Sequence, residues 1–243
     1  MAKERVDAIL TKKGLAPSRE KARILIMAGE VFSASERIIR PDRKMEVETH
    51  LEVRKNLIPY VSYGGLKLEK AIDAFSLDIQ GKKALDIGSS TGGFVDCLLQ
   101  KGASIVYAVD VGTHQLHEKL RADERVVLQE NLNARDLAFE QIGEAVDLIT
   151  IDVSFISLRK ILPAAIPLLS PGGHIVSLVK PQFEVGRYEV GKGGIVKNGE
   201  KIGRTIEGIK DFGRQLGLTP LKEVEAPRDR EKKNREYFIL WER

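Results

Sequence analysis

The sequence predicts an α/β fold, a mostly parallel sheet with helices on both faces, preceded by a small basic α+β segment. Three observations predict it. Short apolar runs recur over 84–87, 105–109, 126–129, 146–151 and 174–179, the continuous pattern expected of strands buried on both faces. Helical patterns separate several of them, notably over 92–101, 113–122 and 156–168, and such alternation lays helices over a parallel sheet. The third observation is charge. The 243 residues carry a formal charge of +4, and residues 1–60 hold 13 Lys and Arg against 9 Asp and Glu, so the whole basic excess lies ahead of the sheet.

In the first segment Val6, Ile9 and Leu10 share one helical face, and Gly14 stops that helix. Ser18 is placed to cap a second helix, with Glu20 in its first turn, Ala22, Leu25 and Ile26 as its apolar stripe, and Gly29 closing it. Strand-like pieces follow over 31–33, 37–39 and 45–48, with a turn at Pro41-Asp42. Lys12, Lys13, Arg19, Arg23, Arg40 and Lys44 concentrate positive charge here. Each alone reads as solvated surface; as a cluster they suit a polyanion. Residues 1–50 are therefore expected to form one domain, 51–61 a linker, and 62–243 the α/β domain.

Composition is that of an ordinary globular chain, with 42% hydrophobic and 30% charged residues. The single cysteine, Cys97, excludes an intrachain disulfide, fits a reducing compartment, and sits among apolar neighbours as a structural thiol. The opening residues run straight into charges, unlike a signal peptide. The longest mostly apolar stretch, 161–169, contains Pro163 and Pro167 and is about half a membrane span. A cytoplasmic protein without a membrane partner is expected.

The most informative stretch runs Ala84-Leu85-Asp86-Ile87-Gly88-Ser89-Ser90-Thr91-Gly92-Gly93-Phe94. A buried strand enters a Gly/Ser turn, and a helix follows, the arrangement in which backbone approaches a ligand at the carboxyl end of a sheet. A dinucleotide site would place glycine at position 90, where this chain has serine. Asp86, two residues before the first glycine, matches instead an S-adenosylmethionine turn, where it would help place the methionine end of the cofactor. Asp110 ends the next strand and is suited to accept both ribose hydroxyls of an adenosine. Asp86, Gly88, Ser89, Ser90, Thr91, Gly92, Gly93, Phe94, Asp110, Val111 and Asn133 are the expected cofactor-binding residues.

The acceptor is narrowed by what is missing. Methyltransferases that act on base amino groups place Asn/Asp-Pro-Pro-aromatic after the fourth strand, where this chain reads Asp152-Val153-Ser154-Phe155. Cytosine C5 chemistry needs a nucleophilic cysteine, and Cys97 lies on the helix behind the turn. No cluster has metal-ligand spacing; His114 and His117 fit a surface helix better, and no metal is expected. Four residues remain as catalytic candidates. Asp152 and Lys180 end the fourth and fifth strands, Lys67 precedes the first, and Glu236 starts the last.

Two resemblances follow from these residues. Arg5-Val6-Asp7, Ser18-Arg19-Glu20-Lys21-Ala22-Arg23 and Ala28-Gly29-Glu30-Val31 resemble the S4 RNA-binding fold. Asp86–Phe94, Asp152-Val153-Ser154-Phe155-Ile156-Ser157, Val179-Lys180-Pro181-Gln182-Phe183-Glu184-Val185-Gly186 and Glu236-Tyr237-Phe238 resemble the TlyA (hemolysin A) family of ribosomal RNA 2′-O-methyltransferases, within the wider FtsJ group. Residues 221–225 and 237–241 are similar to the antiparallel hairpin that closes methyltransferase sheets, so a Rossmann-like, seven-stranded class I domain is expected. The resemblance implies S-adenosylmethionine as cofactor, ribosomal RNA or a ribosomal subunit as partner, and a cytidine as target. It also implies a Lys-Asp-Lys-Glu tetrad, which falls on Lys67, Asp152, Lys180 and Glu236. Lys180 would orient and deprotonate the ribose hydroxyl; burial and the cation Lys67 favour its neutral form, and Asp152 opposes it. Tyr63 stands where the family has an arginine before two glycines.

Two loops complete the expectations. Arg228, Arg230, Lys232, Lys233 and Arg235 lead into Glu236, either gripping RNA phosphates or forming a solvated hairpin loop. Residues 184–198, rich in glycine, read as a loop able to close over RNA. The competing functions are a membrane-active cytolysin, suggested only by the family's hemolysin name, and a non-catalytic RNA-binding assembly factor.

Overall fold

A computed structural model describes residues 3–34, 36–53, 59–186, 189–191, 193–228 and 234–243. The chain opens with strand β1 (Lys3–Arg5) and two helices, α1 (Val6–Lys12) and α2 (Arg19–Met27). Ser18 accepts the Lys21 backbone N–H at the start of α2, the local bond that makes Ser a good helix cap. Strands β2 (Val31–Ser33), β3 (Glu36–Ile38), β4 (Lys44–Glu46) and β5 (Glu52–Val53) follow. They form two small sheets, β1-β4 and β3-β2-β5. Val6, Ile9, Leu10, Ala22, Ile26, Val31 and Ile38 are buried together as a core separate from that of the large sheet. The pairing of β5 with β2 runs past the boundary expected at residue 50, because Val53 lies opposite Val31 and adds to this core.

The larger part starts with helix α3 (Tyr63–Phe75), for which the sequence reading assigned no element. Leu68, Ala71, Ile72 and Phe75 bury one face of it at helical spacing, a signal obscured by Gly64-Gly65 at its start. Then come β6 (Lys83–Ile87), α4 (Gly93–Gln100), β7 (Ile105–Val109), α5 (Glu118–Arg121), β8 (Val126–Gln129), α6 (Phe139–Ile142), β9 (Val146–Ile151), α7 (Leu162–Ala165), β10 (Leu169–Val179), α8 (Pro181–Glu184), α9 (Gly199–Gln215), β11 (Thr219–Glu225) and β12 (Tyr237–Glu242).

Seven strands pair in the order β11-β12-β10-β9-β6-β7-β8. Contacts from β10 through β8 are parallel, and β12 runs antiparallel to both β10 and β11. The expected Rossmann-like methyltransferase sheet with a closing hairpin is therefore present. Side chains alternate between two cores. Ile175, Val179, Ile239 and Trp241 face α7 and α9, while Val176, Leu178, Phe238 and Leu240 face α3 and α4. On the first side Trp241 donates to Ser177 Oγ at 2.8 Å, and a Cβ on Gly213 of α9 would lie 2.3 Å from the indole ring, so the helix packs there by backbone.

Two expected helices are shorter than their patterns. Over 113–122 only Glu118–Arg121 is helical, since His114 takes a left-handed φ of 56°. Over 156–168 the chain forms 3-10 turns around the four-residue α7, because Pro163 and Pro167 remove the N–H groups that a continuous helix needs.

Candidate active site

The parallel strands deliver their carboxyl ends to one rim, and the candidate residues collect there. Strand β6 ends at Ile87 and the chain turns at Gly88, whose φ is 89°. A Cβ at Gly88 would sit 2.6 Å from the Asp152 carbonyl oxygen. Gly88→Ala is thus expected to lower stability by roughly 1–3 kcal/mol and to weaken cofactor binding, measurable by thermal melting and by titration with S-adenosylmethionine. Beyond the glycine, Ser90 is also left-handed, with φ 46°, and its N–H donates to Asp110 Oδ2 at 2.8 Å. Gly112 N–H donates to the other Asp110 oxygen at 2.7 Å. Asp110 thereby holds the turn in shape as well as facing the space beside it.

Asp86 is fully buried. Thr150 Oγ1 donates to its Oδ1 at 2.6 Å, while Oδ2 and the nearby Ser89 Oγ have no hydrogen-bond partner in the protein. Burial pushes the Asp86 carboxyl up to about 8; the bond from Thr150 opposes this, and the charges of Asp152 and Asp110 reinforce it. Buried polar atoms without partners are rare in folded proteins. Two of them beside a glycine turn fit a polar ligand with donors, such as the amino-acid end of S-adenosylmethionine.

The four catalytic candidates resolve into two ion pairs. Lys180 Nζ lies 2.5 Å from Asp152 Oδ1 and donates to Ser154 Oγ at 3.0 Å. Lys67 Nζ donates to Glu236 Oε2 at 2.6 Å, joining α3 to the start of β12 across 169 residues of sequence. Burial pushes the Asp152 carboxyl up, but the charges of Lys180 and Lys67 outweigh it and hold the group below the usual carboxylate range. The segment leading into α3 is fastened by Val61 N–H, which donates to the buried Asp96 on α4 at 2.8 Å.

Two cavities meet at this rim and share Gly88, Ser90, Asp152 and Ser154 as walls. The smaller, ≈ 350 Å³, adds Lys67, Lys180, Asp86, Ser89, Thr91, Gly93 and Phe94. The larger, ≈ 630 Å³, adds Asp110, Val111 and Asn133. Val111 is exposed there, and Asn133 caps a short turn through Arg135 N–H. Glu236 stands behind Lys67 and lines neither cavity, and Gly92 also lines neither. A Cβ on Gly92 would strike Leu120 and Leu116, so that glycine serves the packing of α5 against the turn.

The basic candidates of the N-terminal unit are exposed, yet several are already paired. Lys12 meets Glu4, Arg40 meets Asp42, and Arg19 shares the buried Asp7 with Arg5. Lys13 donates to the Thr49 carbonyl. Among the described residues Arg23 and Lys44 have no carboxylate within ion-pair distance. Arg228 and Arg235 converge on Glu225, and Arg235 also stacks over Tyr237. Arg230, Lys232 and Lys233 lie outside the described residues.

Sequence reading missed several contributors. Thr150 and Ser154 interact directly with Asp86 and Lys180; strand register sets Thr150 beside Asp86, and the loop past β9 carries Ser154 to Lys180. Phe155 takes φ 65° and is 90% exposed, against Phe183 at 5.0 Å between ring centroids. Glu184 accepts from Ser157 Oγ at 2.5 Å and from Leu158 N–H at 2.8 Å, tying the loop after Asp152 to the helix after Lys180.

The FtsJ-like methyltransferase family model matches residues 60–243. The 16S/23S rRNA (cytidine-2′-O)-methyltransferase TlyA of Mycobacterium tuberculosis is 42% identical over 98% of this chain and 88% of its own length. Hemolysin A of Brachyspira hyodysenteriae is 44% identical over 86% of this chain and 89% of its own. Among solved structures, a protein of Streptococcus thermophilus provisionally named a hemolysin superposes with a TM-score of 0.77 at 42% identity, covering 100% of this chain and 89% of that one. An S-adenosylmethionine-dependent methyltransferase from Mesorhizobium loti shares the fold at 15% identity, with a TM-score of 0.55 over 72% of this chain and 96% of that one.

Proposed function

We propose that this chain, which belongs to the FtsJ-like methyltransferase family, methylates a ribose 2′-hydroxyl of ribosomal RNA, at a cytidine, using S-adenosylmethionine. The observation that carries this reading is the convergence of Lys67, held from behind by Glu236, and of the Lys180–Asp152 pair on the cavity that also holds the partnerless buried oxygens of Asp86 and Ser89. The family membership supports it, as does the activity named for the Mycobacterium tuberculosis relative.

Bound S-adenosylmethionine supplies a methyl group on a positively charged sulfur, an electrophile that needs no metal. Asp86 and Ser89 would hold its amino-acid end, and Asp110 with Val111 its adenosine. A ribose hydroxyl is a weak acid, so its attack is helped by removal of its proton as the new bond forms. Lys180 in its neutral form takes that proton. Asp152, 2.5 Å away, stabilises the ammonium so formed, and Ser154 fixes the direction of the amine. Glu236 holds Lys67, whose charge helps keep Asp152 ionised.

The N-terminal unit, through β5, acts in this reading as an S4-type RNA-binding domain, with Arg19, Arg23, Lys44 and their neighbours meeting phosphates. A ribosomal substrate, with a single buried cysteine, supports a cytoplasmic location. Among the described residues no helix is long and apolar enough to cross a membrane. The deciding experiment is incubation with labelled S-adenosylmethionine and isolated ribosomal subunits, followed by mapping of alkali-resistant 2′-O-methyl positions. Label on a base, or no label in RNA, overturns the proposal.

A further inference from the structure

We infer that the N-terminal unit supplies one wall of the acceptor pocket, Met27 and Ile39 forming with Tyr63 an apolar slot for the base of the nucleotide being methylated. The inference rests on the proposed ribose methylation and extends it to how the target nucleotide is seated. The cavity of ≈ 350 Å³ that contains Lys67, Asp152 and Lys180 is lined on another side by Met27, the last residue of α2, and by Ile39, just past β3. Met27 is 41% exposed, one of few large apolar side chains left open to solvent. Tyr63 precedes Lys67 by four residues on α3, so the two share a helix face, and both line this cavity.

Connectivity of the substrate does the rest. The glycosidic carbon of a nucleotide is bonded directly to C2′, so a hydroxyl placed at Lys180 brings its base into the same cavity. The walls that remain, once the cofactor turn, the charged residues and the Ser154 that binds Lys180 are set aside, are Met27, Ile39, Ser62, Tyr63 and Gly64. A phosphate would call for cations there; an aromatic ring with two apolar side chains suits the face of a base, and unstacked RNA bases are commonly held in this way. Methionine adapts its shape to such a partner. Lys21 of α2 pairs with Glu118 of α5, which lays this helix against the larger domain. Both partners are substantially exposed, and such pairs contribute little.

The test is single-turnover methylation of ribosomal subunits, with the modified position mapped, for the wild-type chain, Met27→Ala, Met27→Leu and the double variant Met27→Ala/Ile39→Ala. At saturating RNA the double variant is expected to react roughly tenfold more slowly, the loss of about one stacked base, with S-adenosylmethionine affinity unchanged. Met27→Ala, at an exposed position that folding does not depend on, should show part of that loss, and Met27→Leu should restore most of it. A saturating rate equal to wild type overturns the inference even if more RNA is needed to reach it, since that pattern describes a tether. Weakened cofactor binding overturns it too, placing the wall in the cofactor site. A wild-type chain that leaves no alkali-resistant position would instead sink the ribose reading itself.

Discussion

Lys180→Ala is expected to slow methyl transfer by about 10²–10⁴-fold, the usual worth of a positioned base, while S-adenosylmethionine still binds. The reasoning starts from donors. A lysine ammonium has three N–H groups and no acceptor; here one is donated to Ser154 at 3.0 Å, and Asp152 Oδ1 lies 2.5 Å away as the ion-pair partner. A direction is left for a hydroxyl in the cavity, and the same nitrogen can receive its proton only when neutral. Lys180→Arg separates the two roles. Arginine would keep the charge and the contact with Asp152 but remains protonated in proteins, so it should rescue little activity. Recovery of near wild-type rates by Lys180→Arg would show that the cation orients the hydroxyl and some other group takes the proton. Removing Lys180 also takes away one of the two charges that hold Asp152 below the usual carboxylate range. That depressed carboxyl contributes stability present above the unfolded value near 4 and lost as pH falls through the folded one. Lys180→Ala should therefore shrink the loss of stability seen on acidification, which pH-dependent melting can follow.

The sheet was legible because its strands are buried on both faces and so read as unbroken apolar runs. The five parallel strands follow from that pattern, whereas β12 and the largely exposed β11 were placed by their similarity to the hairpin that closes methyltransferase sheets. What failed was governed by backbone rather than by hydrophobicity. Prolines at 163 and 167 and the left-handed His114 cut two expected helices short, and two glycines masked α3. The site was legible in part. Asp86, Asp110, Asp152 and Lys180 each end a parallel strand, and topology alone sends such residues to one rim. The pairing of Lys67 with Glu236 is different, because no spacing rule joins residues 169 apart; it depends on α3 and β12 being brought side by side. The basic N-terminal cluster was visible as composition, but the ion pairs of Lys12, Arg19 and Arg40 were not, since their partners are fixed by β1, by α1 and by a turn respectively.

Affinity for S-adenosylmethionine is expected to rise with pH and to level off above about pH 8, and Asp86 is the reason. Burial pushes its carboxyl up to about 8, so at neutral pH the group is mostly protonated, and Oδ2 has no partner in the protein. A cofactor carrying an ammonium and a sulfonium favours the ionised form, so one proton leaves as it binds. Affinity should then improve by up to about tenfold per pH unit below 8, approaching about 10² between pH 6 and pH 8. Asp86→Asn cannot ionise; it should bind weakly and show a nearly flat profile, which calorimetry in buffers of different ionisation enthalpy can confirm by the missing proton release. The cofactor-free protein gives an independent check. A folded value above the unfolded one near 4 means that Asp86 stabilises the fold fully in acid and that this contribution is lost as pH rises to about 8. Wild type should therefore melt progressively lower than Asp86→Asn between pH 5 and pH 8, and saturating cofactor should offset that difference. If wild-type affinity is flat across this range, Asp86 does not ionise on binding, and the partnerless oxygen beside the glycine turn must serve the fold rather than the ligand.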